Sequence, residues 1–120
     1  MRPGSGELIL PDTCSELHGH LPERLPQDLE RRGTEPASTT TAAWGDPAIT
    51  LRCGVPPGSA RDEPYEFNGV SWRLHDTGDA RRWTTTGLRV NVEVLVPDHY
   101  SSQAEILGSL SKVLLADLGR

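Results

Sequence analysis

The run Ala42-Ala43-Trp44-Gly45-Asp46-Pro47-Ala48-Ile49-Thr50-Leu51-Arg52-Cys53-Gly54-Val55-Pro56 decides how the rest of the chain is read. Gly45-Asp46-Pro47 is a turn for three separate reasons. Glycine allows positive φ, an aspartate side chain can close an Asx-turn, and proline keeps the residue before it out of the helical region. Past the turn, Ile49, Leu51 and Cys53 alternate with Thr50 and Arg52, which is the period of a strand with one buried face. Cys53 thereby shares the core face with two aliphatic residues while Arg52 points the other way. Gly54 and Pro56-Pro57-Gly58 end the strand.

Toward the N-terminus, Ser38-Thr39-Thr40-Thr41 favours extended backbone and suggests a strand leading into Trp44. Residues 22–41 are polar and proline-punctuated, with Leu25 and Leu29 as aliphatic anchors, and Glu30-Arg31-Arg32-Gly33 suits the end of one or two helical turns. Before them, Cys14, Leu17 and Leu21 fall at i, i+3 and i+7, the single apolar face of a short helix. Thr13 and Glu16 suit its capping box, and Pro22 limits it. Residues 1–12 read as a disordered lead-in: they contain no apolar signal-type stretch, and Leu8-Ile9-Leu10 is far too short to cross a bilayer.

Toward the C-terminus, Asn68-Gly69 between Tyr65-Glu66-Phe67 and Val70-Ser71-Trp72-Arg73-Leu74 is the signature of a hairpin with a type I′ turn. Val70, Trp72 and Leu74 face one way; Ser71, Arg73 and His75 face the other. After Arg81 to Thr86 and Gly87 comes the clearest alternation, with Leu88, Val90, Val92, Val94 and Val96 against Arg89, Asn91, Glu93 and Leu95. The last element is a helix capped by Ser102 and Glu105, with Ile106, Leu107, Leu110, Val113, Leu114 and Leu118 along its apolar stripe. The expected fold is a two-layer α+β sandwich forming one domain over residues 13–120. A mostly antiparallel sheet of about five strands carries the N- and C-terminal helices on one face.

A chain of 120 residues with 35% hydrophobic residues, 10 prolines and 12 glycines has a modest core, so a cross-link would matter. Cys14 and Cys53 are its only cysteines, and one helical and one β period turn both inward. If paired, they close a loop of roughly 40 residues, worth about 4 kcal/mol in the chain-entropy model, and imply an oxidising compartment. If unpaired, they are two buried thiols of a cytosolic protein. The net charge of −5 argues against a general nucleic-acid binder.

The central run, followed by Asn68-Gly69-Val70-x-Trp72 and Val92-Glu93-Val94-x-Val96-Pro97, resembles a family of small actinobacterial exported proteins known only as a domain of unknown function. The resemblance extends from about Cys14 to Leu114. It implies a disulfide between Cys14 and Cys53, a fold-defining turn at Trp44, Gly45, Asp46 and Pro47, and a membrane or lipid anchor ahead of the domain, which this sequence lacks. It brings no activity, so it supplies no catalytic residue and no cofactor.

The residues themselves suggest no catalytic constellation. His18 and His20 point to different sides of a helix, His75 and His99 stand apart, and there is no HExxH or paired-cysteine spacing to hold a metal. No Gly-x-Ser-x-Gly elbow is present. A small hydrolase or transferase would have to assemble its site from Asp46, His75 and polar neighbours, and the Asx-turn explains Asp46 without chemistry. The sheet's second face offers more. Arg52, Arg73, Arg82 and Arg89 project together from it on an acidic protein, a patch suited to an acidic protein segment or an anionic wall polymer. The simpler alternative is a solvated face laced with cross-strand Arg–Glu pairs. An exposed tryptophan could also stack on a sugar, but Trp44 and Trp72 fall on core positions and only Trp83 is open to that role.

The functional expectation is a non-catalytic exported envelope domain, secreted or on the outer side of the cytoplasmic membrane, that binds through this open face. A cytosolic adaptor with free thiols is the remaining alternative.

Overall fold

The computed structural model describes residues 5–34 and 39–119, with residues 5–12 described in backbone only. The chain runs α1 (Ser5–His20), β1 (Arg24–Leu25), β2 (Leu29–Arg32), β3 (Thr41–Trp44), β4 (Ile49–Val55), β5 (Glu63–Phe67), β6 (Val70–Asp76), β7 (Ala80–Thr86), β8 (Asn91–Pro97) and α2 (Gln103–Leu118). All eight strands join one antiparallel sheet in the order β1-β2-β3-β4-β8-β7-β6-β5. The class is α+β, as the sequence suggests, but the sheet has eight strands rather than about five.

The extra strands lie where the sequence suggests helical turns. β1 and β2 form a hairpin whose turn residues Gln27 and Asp28 hold φ of 74° and 59°. Leu-Glu-Arg-Arg has helix-forming propensity, yet the ladder to β3 pairs Arg31 with Trp44 and Arg32 with Ala43. The first helix also starts earlier than expected. Of the lead-in expected over 1–12, residues 1–4 lie outside the described residues and 5–12 continue α1 backwards. Thr13 is therefore inside the helix instead of at its cap, in keeping with the helix-favouring Glu7, Leu8 and Leu10 ahead of it.

Register fixes what the two faces carry. Ala42, Leu51, Val94, Trp83 and Leu74 lie opposite one another across five strands, and Cys53 and Val92 form the next inward rung. On this inner face α2 places Ile106, Leu107, Leu110, Leu114 and Leu118, all fully buried, and α1 adds Cys14 and Leu17, with Leu21 just past its end, to the same core. The amphipathic stripe read from the sequence is thus the packed side of α2. Two tryptophans meet α2 through polar atoms inside this core. Trp72 Nε1 donates to Ser111 Oγ at 2.9 Å, and Trp83 Nε1 donates to Gln103 Oε1 at 2.9 Å, so neither indole leaves a buried donor unpaired.

Cys14 and Cys53 form a disulfide, with their Cα atoms 5.8 Å apart. It joins α1 to the inner face of β4, and both cysteines are buried. The turn after β3 is equally fixed. Trp44 is fully buried and donates from Nε1 to the Pro22 carbonyl at 2.9 Å, while the Arg31 guanidinium lies over its ring at 5.7 Å. Gly45 has φ 74°, and a Cβ there would come within 2.8 Å of Tyr100 Oη, so the position demands glycine for two independent reasons. The Asp46–Pro47 peptide is cis, and Tyr100 Oη donates to the Pro47 carbonyl at 2.6 Å.

Ser102 is the N-cap of α2 as expected, but it is in the left-handed region and its side chain makes no capping bond. Asn68 and Gly69 have φ of 47° and 88°, the backbone of the expected I′ turn.

Candidate functional site: the outer face of the sheet

The face opposite the helices carries two polar rows. One runs Thr41, Arg52, Glu93, Thr84, Arg73 and Pro64; the other runs Arg32, Ala43, Thr50, Leu95, Arg82 and His75. Arg52, Arg73 and Arg82 therefore do share this face, as their strand phases suggest.

Arg89 does not. β8 begins only at Asn91, and the preceding residues bend away from the ladder. Leu88 and Val90 are nevertheless buried, which is why the alternation starts in the sequence before the strand does. The backbone N–H of Arg89 donates to the Leu118 carbonyl at 3.0 Å and its Nη2 to the Asp117 carbonyl at 2.6 Å. The last carbonyls of a helix lack intrahelical partners and favour a cation. The last turn of α2 holds no basic residue of its own, so Arg89 supplies both donor and charge from outside.

Arg73 shares the face but is not free on it. β4 and β5 are four positions apart in the sheet, about 19 Å at a spacing of about 4.8 Å. Residues 56–62 must bridge that gap, and seven residues reach at most about 25 Å. The connection therefore runs nearly straight across the outer face, stiffened by Pro56-Pro57. Along the way Gly58 N–H donates to the Thr85 carbonyl at 3.4 Å, and Arg73 Nη1 donates to the Asp62 carbonyl at 3.2 Å. Arg73 and Thr84 lie beneath this strap, and a Cβ on Gly58 would sit 2.6 Å from the Arg73 Cβ.

Arg52 is exposed and lies 3.6 Å from the Glu93 carboxylate, which is largely covered. This is the cross-strand Arg–Glu pairing that the simpler alternative expects. On its other side, Arg52 borders an open groove of about 750 Å³ over β2, β3 and β4. Its opposite wall is Arg32, which donates from Nη1 to the Gly45 carbonyl at 2.8 Å and lies 3.9 Å from Asp46. Ala43, Thr50 and Thr41 line the space between, so two arginines on strands two spacings apart, about 10 Å from axis to axis, flank small side chains and two hydroxyls. The sequence does not single out Arg32, because its strand is too short to show a period. The one available signal was that a strand ending at Trp44 needs a partner on its other edge.

The alternative chemistries lose their parts. Asp46 follows β3 and His75 sits on β6, four strand spacings away, so the structure does not bring them together. His75 Nδ1 pairs with Asp62 at 3.3 Å, and the Asp46 side chain is almost wholly exposed. The remaining histidines are dispersed. His18 Nε2 meets Arg31 at 3.0 Å, His20 meets Asp117, and His99 packs edge-on to Tyr100. The thiols required by a cytosolic adaptor are both taken up in the disulfide. All three tryptophans are buried, Trp83 included, so none is an exposed sugar platform.

A family model described as "Protein of unknown function (DUF3515)" matches residues 10–119, nearly the whole described chain. The chain belongs to that family. The match agrees with the resemblance read from the sequence in that both lead to a family without an assigned activity. No curated protein and no solved structure matches the chain. For this DUF3515 chain, the disulfide points to an oxidising compartment outside the cytosol. No helix among the described residues is long and apolar enough to cross a membrane.

Proposed function

We propose that this DUF3515 chain is an exported, non-catalytic envelope domain that binds a carboxylate- or phosphate-bearing chain, either an acidic protein segment or a wall polymer, on the outer face of its sheet. The observation that supports this reading is the groove between Arg32 and Arg52. Two guanidiniums there flank a floor of small side chains with two hydroxyls, on a protein whose net charge is −5. A planar guanidinium fork matches an oxyanion, and an otherwise acidic surface concentrates binding on that site. Arg82 continues the same row toward β6 and extends the track; Arg73 and Arg89 are engaged within the fold and fall outside it.

Polyglutamate and polyphosphate serve as carboxylate and phosphate probes. The expected result is binding of at least one of them that weakens as salt is raised and is abolished in Arg32→Glu/Arg52→Glu. Both residues are exposed, so the double variant should keep its fold, and near-UV circular dichroism checks this. Absence of binding at low salt, or binding that the double variant retains, would falsify the proposal.

A further inference from the structure

The helices do not cover the whole inner face. α2 begins at Gln103, and at this N-terminal end a cleft of about 520 Å³ opens toward the free edge strand β5. Its floor is aromatic. Tyr65 and Phe67, two apart on β5, have near-parallel rings with centroids 6.1 Å apart, and each meets Trp83 edge-on, at 5.3 and 5.6 Å. Trp83 is held in place by its bond to Gln103 of α2. Tyr65 is 39% exposed, one of only two large hydrophobic side chains so open among the described residues. The rim is polar, with Glu63, Asp76 and Arg81 around the same space. Arg81 lies directly opposite Asp76 in the β6–β7 ladder, yet no described group bonds or pairs with its guanidinium.

We propose that this cleft is a saccharide-binding site, in which a pyranose ring stacks on Tyr65 and its hydroxyls bond to Glu63, Asp76 and Arg81. A sugar ring has an apolar C–H face and an equatorial belt of groups that both donate and accept, which fits an aromatic floor ringed by two carboxylates and a guanidinium. The cleft's volume falls in the range of small-ligand sites, about 300–1,000 Å³. Two other occupants fit less well. A cationic ligand would find the aromatic rings and carboxylates but would be opposed by Arg81. An added peptide strand would meet Pro64 in the middle of β5, a residue that has no N–H to offer at an edge. The site lies on the face opposite Arg32 and Arg52 and does not depend on them.

Saturation-transfer difference NMR on the intact protein with chitotriose and with maltotriose tests the proposal. The expected result is transfer to the ring C–H protons of at least one of the two sugars. Its affinity should fall at least about tenfold in Tyr65→Ala, the loss of one aromatic contact, and less in Arg81→Ala. Tyr65→Phe should keep the binding, as should Arg32→Glu/Arg52→Glu. Tyr65 and Arg81 are both exposed, so either alanine variant reads binding in a folded protein. No transfer to either sugar overturns the proposal, as does transfer that both alanine variants leave unchanged. Tighter binding of tetramethylammonium than of either sugar overturns it too, by making the cleft a cation cage.

Discussion

The two halves of this sheet are held together by different means. The half made of α1 and β1–β4 depends on a covalent tie and a set of long-range contacts: Cys14 to Cys53, Trp44 to the Pro22 carbonyl, and Tyr100 to the Pro47 carbonyl across 53 positions. Both halves pair each strand with its sequence neighbours, but the half made of β5–β8 and α2 does so through strands of five to seven residues and is closed by a helix that buries Ile106, Leu107, Leu110, Leu114 and Leu118. The second half should hold without a staple, because each hairpin closes a short loop and α2 covers the result. In the first half β1, β2 and β3 have only two to four residues, and among the described side chains its helix buries Cys14 and Leu17, so its stability rests on the cross-link.

The sharpest way to break this comparison is to remove the cross-link. Replacing both cysteines with serine should cost about 2–4 kcal/mol in urea denaturation, the range for a loop of this length. The loss should be uneven. Amide exchange should accelerate first in α1, β3 and β4, and last in β6, β7 and β8. Uniform loss of protection would show that the sheet unfolds as one unit and that the two halves do not differ.

A second substitution tests the strap that joins the halves. Gly58→Ala would press a methyl group against the Arg73 Cβ, with the Thr84 carbonyl 3.2 Å away. Neither contact is the flexible end of a side chain. A cost of about 1–3 kcal/mol is expected, as for overpacking elsewhere, whereas alanine at Gly33, where no atom of the described residues lies within 4 Å, should be nearly neutral. Equal effects at both sites would mean that the connection floats over the sheet.

The same contrast decides what the sequence shows. β4, β6 and α2 announce themselves because each is long enough to display its period, and Asn68-Gly69 names its own turn. β1 and β2 have no period to display, and their turn uses Gln27 and Asp28 in place of the glycine or asparagine that normally marks positive φ. Among the candidate arginines, Arg52 and Arg82 can be placed from strand phase alone. Arg73 has the right phase but lies under a strap whose path follows from strand order, a non-local fact. Arg89 shares the alternation of β8 but lies ahead of that strand, where the backbone meets the end of α2. The aromatic corner is hidden for a similar reason: residue order puts Tyr65 and Phe67 on a strand but does not say where the covering helix begins.

Arg89 offers a smaller test, on the self-supporting half. Arg89→Ala removes the side-chain bond to the Asp117 carbonyl while leaving the backbone bond to Leu118 in place. A loss of about 1 kcal/mol is expected, within the range for a charge-assisted bond at a helix end, together with faster exchange in the last turn of α2. Its effect on polyanion binding should be nil, because this arginine is turned toward the helix and not the outer face. A variant that weakened polyanion binding while leaving α2 unchanged would return Arg89 to the binding face.

The smallest expected effect concerns a polar side-chain contact between the two helices. His20, at the end of α1, bonds through Nδ1 to Asp117 of α2 at 2.7 Å. The hydrogen bond and charge of Asp117, with a lesser push from Glu16, raise the His20 pKa above its usual 6.5. A raised histidine pKa means that the folded state holds the proton more tightly than the unfolded chain. The contact therefore contributes fully below the unfolded value, and the contribution disappears as pH rises through the higher folded value. Thermal melts of the wild type and Asp117→Asn should differ most in mildly acid buffer and converge toward alkaline pH. Comparing the two proteins at each pH cancels the other histidines. Because His20 is mostly solvent-exposed, screening keeps the difference small, and added salt should shrink it further. A gap that widens with rising pH would reverse the sign of the coupling. The helices would then be held together by the disulfide and the core alone, with His20 and Asp117 merely neighbours.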